Sequence, residues 1–377
     1  MDRAEASMKT LKVLMVHAPT AGLHNDAVVL ADALRRLVGE VEVASLDIPW
    51  NPALDYEKPV DVPPEVQARA PFDIAFHFEH LYGHAPLRSP DFARRRVFVP
   101  NIEWLMTRDE QEVLAYRPDG ILYKNRFTQD RCEKIPGYSS IGVRLVTGWT
   151  SRDFPRAVAL RPKDFRSFLH IRGVSVQKNA EVLLSAWHSN PDFPPLTLIT
   201  SARDDFHVSP LVRSAHNIEI IARELSAAEV RRYQQTHGIH VYPSYAEGFG
   251  HAQNEARICG AVLVTTGAPP MSDLVTAGNS GFLIPVHSQD VSPLERSTKF
   301  RVQAATLAST IRQVLATPLA RLAEFGQTAR EHYLRDQLSF HSRIRDVLRA
   351  SGIRCRDEQP TARNRGGLIV TPVYELT

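Results

Sequence analysis

Two glutamates, Glu247 and Glu255, flank a glycine-containing turn in the stretch YAEGFGHAQNEARICG. The stretch follows a short apolar segment of strand length and runs directly into a segment with helical character. If that helix begins near Phe249, its first backbone amides have no partner within the helix. Together with the helix dipole they form an anion site that suits phosphate. Gly248 and Gly250 allow the backbone to come close to such a ligand.

The same residues suit a nucleoside diphosphate that carries a polyol. Glu255 lies inside the predicted helix, where a carboxylate can accept hydrogen bonds from ribose hydroxyls, as acids do in other nucleotide-binding folds. Glu247 lies in the loop before the phosphate site and can face the group beyond the phosphate. The spacing is equally compatible with a solvated loop acid and a surface helix acid, so spacing alone leaves both interpretations open.

The elements that must position these residues alternate between apolar runs of strand length and segments with helical spacing. Such runs, separated by helices, predict parallel sheets covered on both faces. In sheets of this kind ligands bind at the carboxyl ends of the strands. Ser226 followed by Glu229 predicts a capping box at the start of one helix. The first series of apolar runs is LKVLMVHAP, EVEVASLD, PFDIAFHFEH, RVFVPNIE, GILYKN and VRLVTG, and the second is FRSFLHIRG, PLTLITSA, NIEIIAREL, GIHVYPS, AVLVTTG and GFLIPV.

A chain of 377 residues is too long for one ordinary core. The segment 151–165 contains prolines and has no clear periodicity, so we interpret it as a linker. We predict an α/β fold with two doubly wound, Rossmann-like domains that face each other across a cleft. The predicted N-terminal domain is 1–152 and the C-terminal domain is 153–337. A helix at 338–352 is predicted to return toward the N-terminal domain, and 353–377 is a tail.

Composition excludes several classes of function. The 45 basic and 42 acidic residues are interspersed and give a net charge of +3, so we predict no nucleic-acid partner. The three cysteines are far apart and form neither a metal-binding spacing nor a disulfide set, which indicates a reducing compartment. The N-terminal apolar run is too short for a signal segment or a membrane span. We therefore predict a cytoplasmic protein, and peripheral membrane contact and oligomeric state are left open.

Two segments resemble a known family. The stretch from Tyr245 to Pro285 resembles the donor-site signature of retaining, nucleotide-sugar-dependent glycosyltransferases of the GT-B fold, of the family-4 or group 1 type. It has two acids with seven residues between them, a G-F-G within that interval, a strand of small residues and a G-F-L-I-P strand. FLHIRGVSVQKNAEVLLSAW resembles the other half of that site, with a strand, a glycine turn and a lysine that opens a helix.

The resemblance implies a retaining glycosyltransferase that moves a hexose-type sugar from a nucleoside diphosphate sugar to an acceptor. The acceptor would be a glycan, a lipid-linked molecule or a small molecule, held on the N-terminal side of the cleft. The C-terminal domain would hold the donor. Neither a cofactor nor a metal ion is implied.

Roles follow for individual residues from the same resemblance. Glu247 would contact hydroxyls of the donor sugar and Lys178 the diphosphate, and these two would be catalytic. Glu255 would hold the ribose, and the Phe249 backbone would meet sugar and phosphate. The full donor-binding set comprises Gly22, in the first β–α loop, together with Arg172, Gly173, Lys178, Glu247, Gly248, Phe249, Gly250 and Glu255.

This sequence departs from the family pattern at three places. Many members read G-R-x-x-x-x-K, whereas GVSVQK is shorter and lacks that arginine. Arg172 either replaces the missing charge or is a salt-bridged surface residue. Many members carry a histidine after the fourth or fifth N-terminal strand, where FVPNIEWL has Asn101 and Glu103 instead. His251 occupies a position where an apolar residue is common.

Other residues are candidates for the acceptor side or for a metal site. His77, His80, Asn101 and Glu103 are candidates for the acceptor pocket, because they lie at or near predicted strand ends. His77 and His80 are equally interpretable as ordinary core or exposed histidines. His77, Glu79, His80 and His84 lie close enough in sequence to suggest a metal site, but we predict no metal. Asp204–Asp205 is interpreted as a solvated turn.

Two other functions fit the same fold. A nucleotide-sugar 2-epimerase would work without an acceptor, although its acids and histidines across the cleft have no clear equivalents here. A non-catalytic relative would bind a nucleotide sugar or a partner protein. The presence of Lys178, Glu247 and Glu255 argues against lost catalysis.

Overall fold

The computed structural model describes residues 10–48, 60–82, 86–105, 113–152, 162–201, 214–291 and 297–356. These ranges do not include His84, Asp204–Asp205, residues 153–161 of the predicted linker or the tail from residue 357 onward.

The N-terminal sheet has six strands in the order β2-β1-β3-β4-β5-β6, and every neighbouring pair is parallel. Buried apolar residues fill most of these strands, as expected for a sheet covered on both faces. The strands are β1 Leu11–His17, β2 Val41–Asp47, β3 Ile74–Glu79, β4 Arg96–Pro100, β5 Gly120–Tyr123 and β6 Val143–Val146, and the helices between them are α1 Ala21–Val38, α2 Pro64–Gln67 and α3 Arg126–Cys132.

The C-terminal sheet also has six strands, in the order β9-β8-β7-β10-β11-β12, and all pairs are parallel. Its strands are β7 Asp164–Gly173, β8 Leu196–Thr200, β9 Ile218–Ala222, β10 His237–Tyr242, β11 Val262–Thr266 and β12 Gly281–Ile284. Around it lie α4 Ala180–His188, α5 Ala227–Thr236, α6 His251–Ile258, α7 Ala304–Ala316 and an antiparallel hairpin of β13 Ser288–Val291 and β14 Thr298–Arg301.

The strand orders locate the crevices in which ligands bind. In the C-terminal sheet β7 and β10 are neighbours, and the strand order reverses between them. The loops that leave the carboxyl ends of such a pair diverge and open a crevice, which is the binding position in doubly wound sheets. The equivalent position in the N-terminal sheet lies between β1 and β3. Topology alone therefore indicates the loops after Gly173 and after Tyr242 as the candidate site.

A long final helix, α8 Leu319–Ala350, spans both halves of the molecule. Its first part contributes Leu322 and Phe325 to the core of the C-terminal sheet. Farther along, Phe340 and Ile344 pack in the core of the N-terminal sheet. The helix is continuous across the predicted boundary between 337 and 338, and the predicted domain limits stay predictions.

The chain crosses between the two sheets near residue 150 as well as along α8. At this place the hydroxyl of Tyr333 on α8 lies 2.8 Å from Thr150 Oγ1 and accepts a hydrogen bond from the backbone amide of Ser151 at 3.1 Å. Tyr333 is almost completely buried. The two crossings are therefore in direct contact with each other.

The capping box predicted at α5 is present. The amide of Glu229 donates to Ser226 Oγ at 3.3 Å, and the amide of Ser226 donates to Glu229 Oε2 at 2.8 Å. These two bonds satisfy helix-end donors that would otherwise need water. No helix within the described residues is long and apolar enough to cross a membrane.

Candidate active site

The two loops at the switch point of the C-terminal sheet are joined to each other. Asn179 Nδ2 donates to the carbonyl oxygen of Pro243 at 3.0 Å, and the amide of Tyr245 donates to the carbonyl oxygen of Gln177 at 2.8 Å. Asn179 adopts a left-handed conformation, with φ of +54°, which asparagine tolerates better than most residues. These bonds bring Lys178 to the Glu247–Gly250 segment, here called the EGFG turn.

Lys178 and Glu247 form an ion pair at the centre of this site. Lys178 Nζ lies 2.5 Å from Glu247 Oε1, and the two side chains are 14% and 10% exposed. Ser244 Oγ and Gln253 Nε2 donate to the same oxygen at 2.8 and 3.2 Å. Three donors therefore fix the Glu247 carboxylate, and Lys178 beside it keeps a small exposed fraction.

The helix after the EGFG turn starts later than the sequence predicts. The predicted start near Phe249 is wrong, because α6 begins at His251 and Gly250 precedes it in a left-handed conformation with φ of +78°. The left-handed Gly250 separates Phe249 from the helix, and the Phe249 side chain packs against the N-terminal core. The amide of Asn254 already bonds to the Gly250 carbonyl at 3.0 Å. The free amides suited to an anion are therefore those of residues 251–253.

Glu255 lies one turn farther into α6. Its Oε2 accepts a hydrogen bond of 2.6 Å from Gln234 Nε2 on α5. Burial raises the pKa of Glu255, although the charge of His251 and the bond from Gln234 act in the opposite direction. The carboxyl is thus held in place by a neighbouring helix, while its contact with a ribose stays a prediction.

The EGFG turn lies directly against the strand ends of the N-terminal sheet. Asn125 Nδ2, just after β5, donates to the Gly248 carbonyl at 2.6 Å. A Cβ atom placed on Gly248 would lie 2.5 Å from Glu103 Oε1 and 2.7 Å from Asn101 Oδ1, so a larger residue would not fit without a shift. Two of the predicted acceptor-side residues therefore meet the predicted donor turn.

The part of the chain that carries Lys178 and the EGFG turn matches a known protein family. Residues 151–293 match the family described as Glycosyl transferases group 1. The match includes Lys178 and the whole EGFG turn. Residues 151–293 are a group 1 glycosyltransferase domain.

Solved structures extend the likeness to most of the chain. A sucrose-phosphate synthase from Thermosynechococcus elongatus superposes with a TM-score of 0.64 at 14% identity, covering 90% of this chain and 100% of the other. The Anabaena protein HepE, in complex with UDP and glucose, gives 0.62 at 15% identity with the same coverages. A glycosyltransferase from Rickettsia africae gives 0.63 at 10% identity, covering 91% and 99%. At these identities the likeness shows the GT-B fold. Comparison with curated proteins finds no match.

Two predicted donor-binding residues of the group 1 domain are placed at the end of β7. Gly173 has φ of +59°, a conformation that favours glycine, and a Cβ there would meet nothing within 4 Å. Arg172 is only 4% exposed, so its interpretation as a surface residue is wrong. Burial lowers the pKa of Arg172, while the charge of Glu181 acts in the opposite direction.

Gly22, across the cleft from the group 1 domain, lies in the first turn of α1 and not in a loop as predicted. The helix begins at Ala21 because Thr20 caps it, with the Thr20 hydroxyl accepting a hydrogen bond from the Leu23 amide at 3.4 Å. The space around Gly22 is open, since a Cβ there would meet nothing within 4 Å.

A buried set of polar side chains connects the group 1 domain to the N-terminal sheet. His251 Nε2 contacts Asp26 Oδ1 at 2.9 Å, and Asp26 forms a buried ion pair with Lys124. Lys124 Nζ also donates to Asn101 Oδ1 at 2.7 Å, and Asn101 Nδ2 donates to Glu79 Oε2 at 3.0 Å. Burial alone would raise the pKa of Asp26, but Lys124 and His251 outweigh it and the pKa is lowered.

Sequence reasoning missed Asp26 and Lys124. Lys124 immediately follows β5, so the rule that ligands lie at carboxyl strand ends could have indicated it. Asp26 is an acid on the buried face of α1. Because a buried charge needs a partner, an acid at this position of the helix could have indicated an ion pair.

The two predicted histidines lie on the N-terminal side. His77 is completely buried in β3, with its ring stacked on Tyr82 at 6.5 Å and edge-on to Tyr116 at 5.7 Å. His80 is also buried, and its Nε2 lies 3.7 Å from Glu79 Oε1. His77 therefore belongs to the aromatic part of the core. Within the described ranges no group of three or more His, Cys, Asp or Glu side chains is placed to hold a metal ion.

Proposed function

We propose that this protein is a retaining glycosyltransferase that moves a hexose-type sugar from a nucleoside diphosphate sugar to a hydroxyl acceptor, without a metal ion or cofactor. We also propose that it works in the cytoplasm. The observation that carries the proposal is the Lys178–Glu247 pair at the switch point of the C-terminal sheet, inside the group 1 segment.

The proposed chemistry needs positive charge where the diphosphate departs. Breaking the bond between the anomeric carbon and the phosphate oxygen leaves negative charge on that oxygen. Lys178 and the free amides at the start of α6 are fixed positive groups next to this place, so they need no reorganisation during the reaction.

In the proposed step the acceptor oxygen forms its bond to the anomeric carbon on the same face from which the diphosphate leaves. The acceptor proton passes to a departing phosphate oxygen, which balances the charge. We name no protein carboxylate as nucleophile, in contrast to the two-carboxylate arrangement of retaining glycoside hydrolases. Glu247, held by three donors, would orient hydroxyls of the donor sugar.

Binding of nucleotides tests the proposal directly. Intact protein is heated with UDP, GDP, ADP or their sugars, and one of these series is expected to raise the melting temperature. A ligand at about 100 times its dissociation constant stabilises the folded state by about 2.7 kcal/mol. The matching nucleosides, which lack the diphosphate, are the control. UDP and UDP-glucose are tried first, because HepE was crystallised with them. Absence of a shift with every nucleotide would reject the proposal.

Glu255→Ala and Glu247→Ala are expected to damage different kinetic parameters. Ribose does not change during the reaction, so loss of Glu255 weakens ground state and transition state alike and raises KM and the nucleotide Kd. Glu247 faces the sugar on which charge develops, so its loss lowers kcat. Calorimetric nucleotide titration and steady-state kinetics separate the two. The reverse pattern would exchange the two roles.

The epimerase alternative has no support in the comparisons. Incubation with the nucleotide sugar alone distinguishes it, because an epimerase would return an isomeric nucleotide sugar whereas a transferase would release nucleoside diphosphate.

A further inference from the structure

Glu103 brings a carboxyl group to the place where the two halves of the molecule meet. It follows β4 in a short 3-10 turn, Ile102–Trp104, at the carboxyl end of the N-terminal sheet. Its Oε1 lies against Gly248, as close as 2.5 Å to the position that a Cβ on that glycine would take. Glu103 therefore borders the EGFG turn at Gly248.

The second oxygen of this carboxyl lacks a partner within the described part of the chain. Glu103 Oε2 is buried and has no hydrogen-bond partner among the residues that the structure describes. Buried carboxyl oxygens are rarely left unbonded, because the lost solvation is not recovered. The nearby cation, Lys124, is already bonded to Asp26 and Asn101.

The charges around Glu103 favour its uncharged form. Burial raises the pKa of Glu103 to about 8, and the carboxylates of Glu79 and Glu247 act in the same direction. A hydrogen bond from the Glu103 backbone and the charge of Lys124 act against this rise. At neutral pH the group is therefore a carboxylic acid that can both donate and accept a hydrogen bond.

We propose that Glu103 holds a sugar hydroxyl at the reacting end of the cleft through Oε2, and thereby contributes to substrate choice. The inference rests on the proposed function, because the sugar must lie beside Glu247 for Glu103 to reach it. A hydroxyl fits better than a phosphate, since the neighbouring Glu79 and Glu247 would repel an anion. The hydroxyl belongs to the donor sugar or to the acceptor.

Glu103→Gln and Glu103→Ala form a matched pair for testing this. Glutamine keeps the shape and the ability to donate and accept, whereas alanine removes both. Donor turnover is measured with UDP-glucose, GDP-mannose and ADP-glucose, with water and then glucose as acceptor. Glu103→Ala is expected to lower kcat/KM at least about tenfold, since one hydrogen bond is lost. Glu103→Gln is expected to stay within about threefold of the unsubstituted protein at pH 7. Affinity for UDP, which has no sugar, is expected to be unchanged in both.

The acceptor used tells where the hydroxyl comes from. A loss with water as acceptor assigns it to the donor sugar, and a loss confined to transfer to glucose assigns it to the acceptor. Activity of Glu103→Ala equal to the unsubstituted protein would overturn the proposal. An equal loss in Glu103→Gln and Glu103→Ala would also overturn it, because the ionised carboxylate would then be the required form.

The pH dependence gives a second readout that a purely structural role would not produce. Ionisation of Glu103 adds a negative charge beside Glu79 and Glu247 and removes the donated hydrogen bond. The kcat/KM of the unsubstituted protein is therefore expected to fall as pH rises through about 8. Glu103→Gln is expected to lack this fall, and identical profiles would contradict the proposal. If the unsubstituted protein binds no nucleotide at all, the proposed function itself fails, which is a different result.

Discussion

Replacing Lys178 by alanine is expected to lower kcat by about 10²–10³-fold, by analogy with the loss of one oxyanion donor. The amine lies 2.5 Å from Glu247 Oε1, at the crevice between β7 and β10. Under the proposed function this charge lies where the diphosphate departs, so its contribution is expected to be largest in the transition state. Steady-state kinetics with the donor selected by the nucleotide screen measures the effect.

Two controls make the Lys178 result specific. Arg312→Ala removes an exposed cation on α7 that pairs with Asp192 outside the site, and it is expected to leave kcat unchanged. Treatment of the unsubstituted protein with EDTA is expected to leave activity intact. Full activity in Lys178→Ala, or complete loss in EDTA that a divalent ion restores, would mean that another group neutralises the diphosphate.

Replacing Asp26 by alanine is expected to destabilise the protein by about 3–5 kcal/mol. Asp26 and Lys124 are 3% and 1% exposed, so removal of the carboxylate leaves a buried ammonium whose remaining hydrogen-bond acceptor within the described residues is Asn101. The same change removes the contact with His251 of the group 1 domain. We therefore expect both lower stability and a weaker association of the two halves.

Chemical denaturation followed by tryptophan fluorescence measures this loss, because Trp149 lies 5.2 Å from Lys124 Nζ. The double variant Asp26→Leu with Lys124→Met replaces both charges by apolar groups and is expected to recover much of the stability. A denaturation midpoint of Asp26→Ala equal to that of the unsubstituted protein would show that the pair is not buried in solution.

The strands of both sheets were predictable, because each contains apolar residues over a strand-length segment between turn or helix signals. Their order was not, since the sequence does not say which strands pair. The hairpin of β13 and β14 was also missed. Ser288–Val291 is exposed along its whole length and carries no apolar periodicity, so it gives no strand signal.

The candidate site was predictable where it is local and was missed where it depends on distant contacts. Lys178 and Glu247 came from a resemblance between short segments, and the structure places them 2.5 Å apart. The start of α6 was misplaced, because Gly250 adopts a left-handed conformation just before His251 and the sequence pattern does not specify it. Asp26 and Lys124 are 98 residues apart, and only the fold brings them together.

The contact of Tyr333 with Thr150 and Ser151 has a mechanical consequence. Because both chain crossings meet at this buried place, we expect the two halves to rotate about it and not to slide past each other. We expect it to act as a hinge, with α8 as the arm that transmits the motion. The EGFG turn would then swing away from Asn125 along an arc, and under the proposed function a nucleotide sugar would enter from the side opposite the hinge.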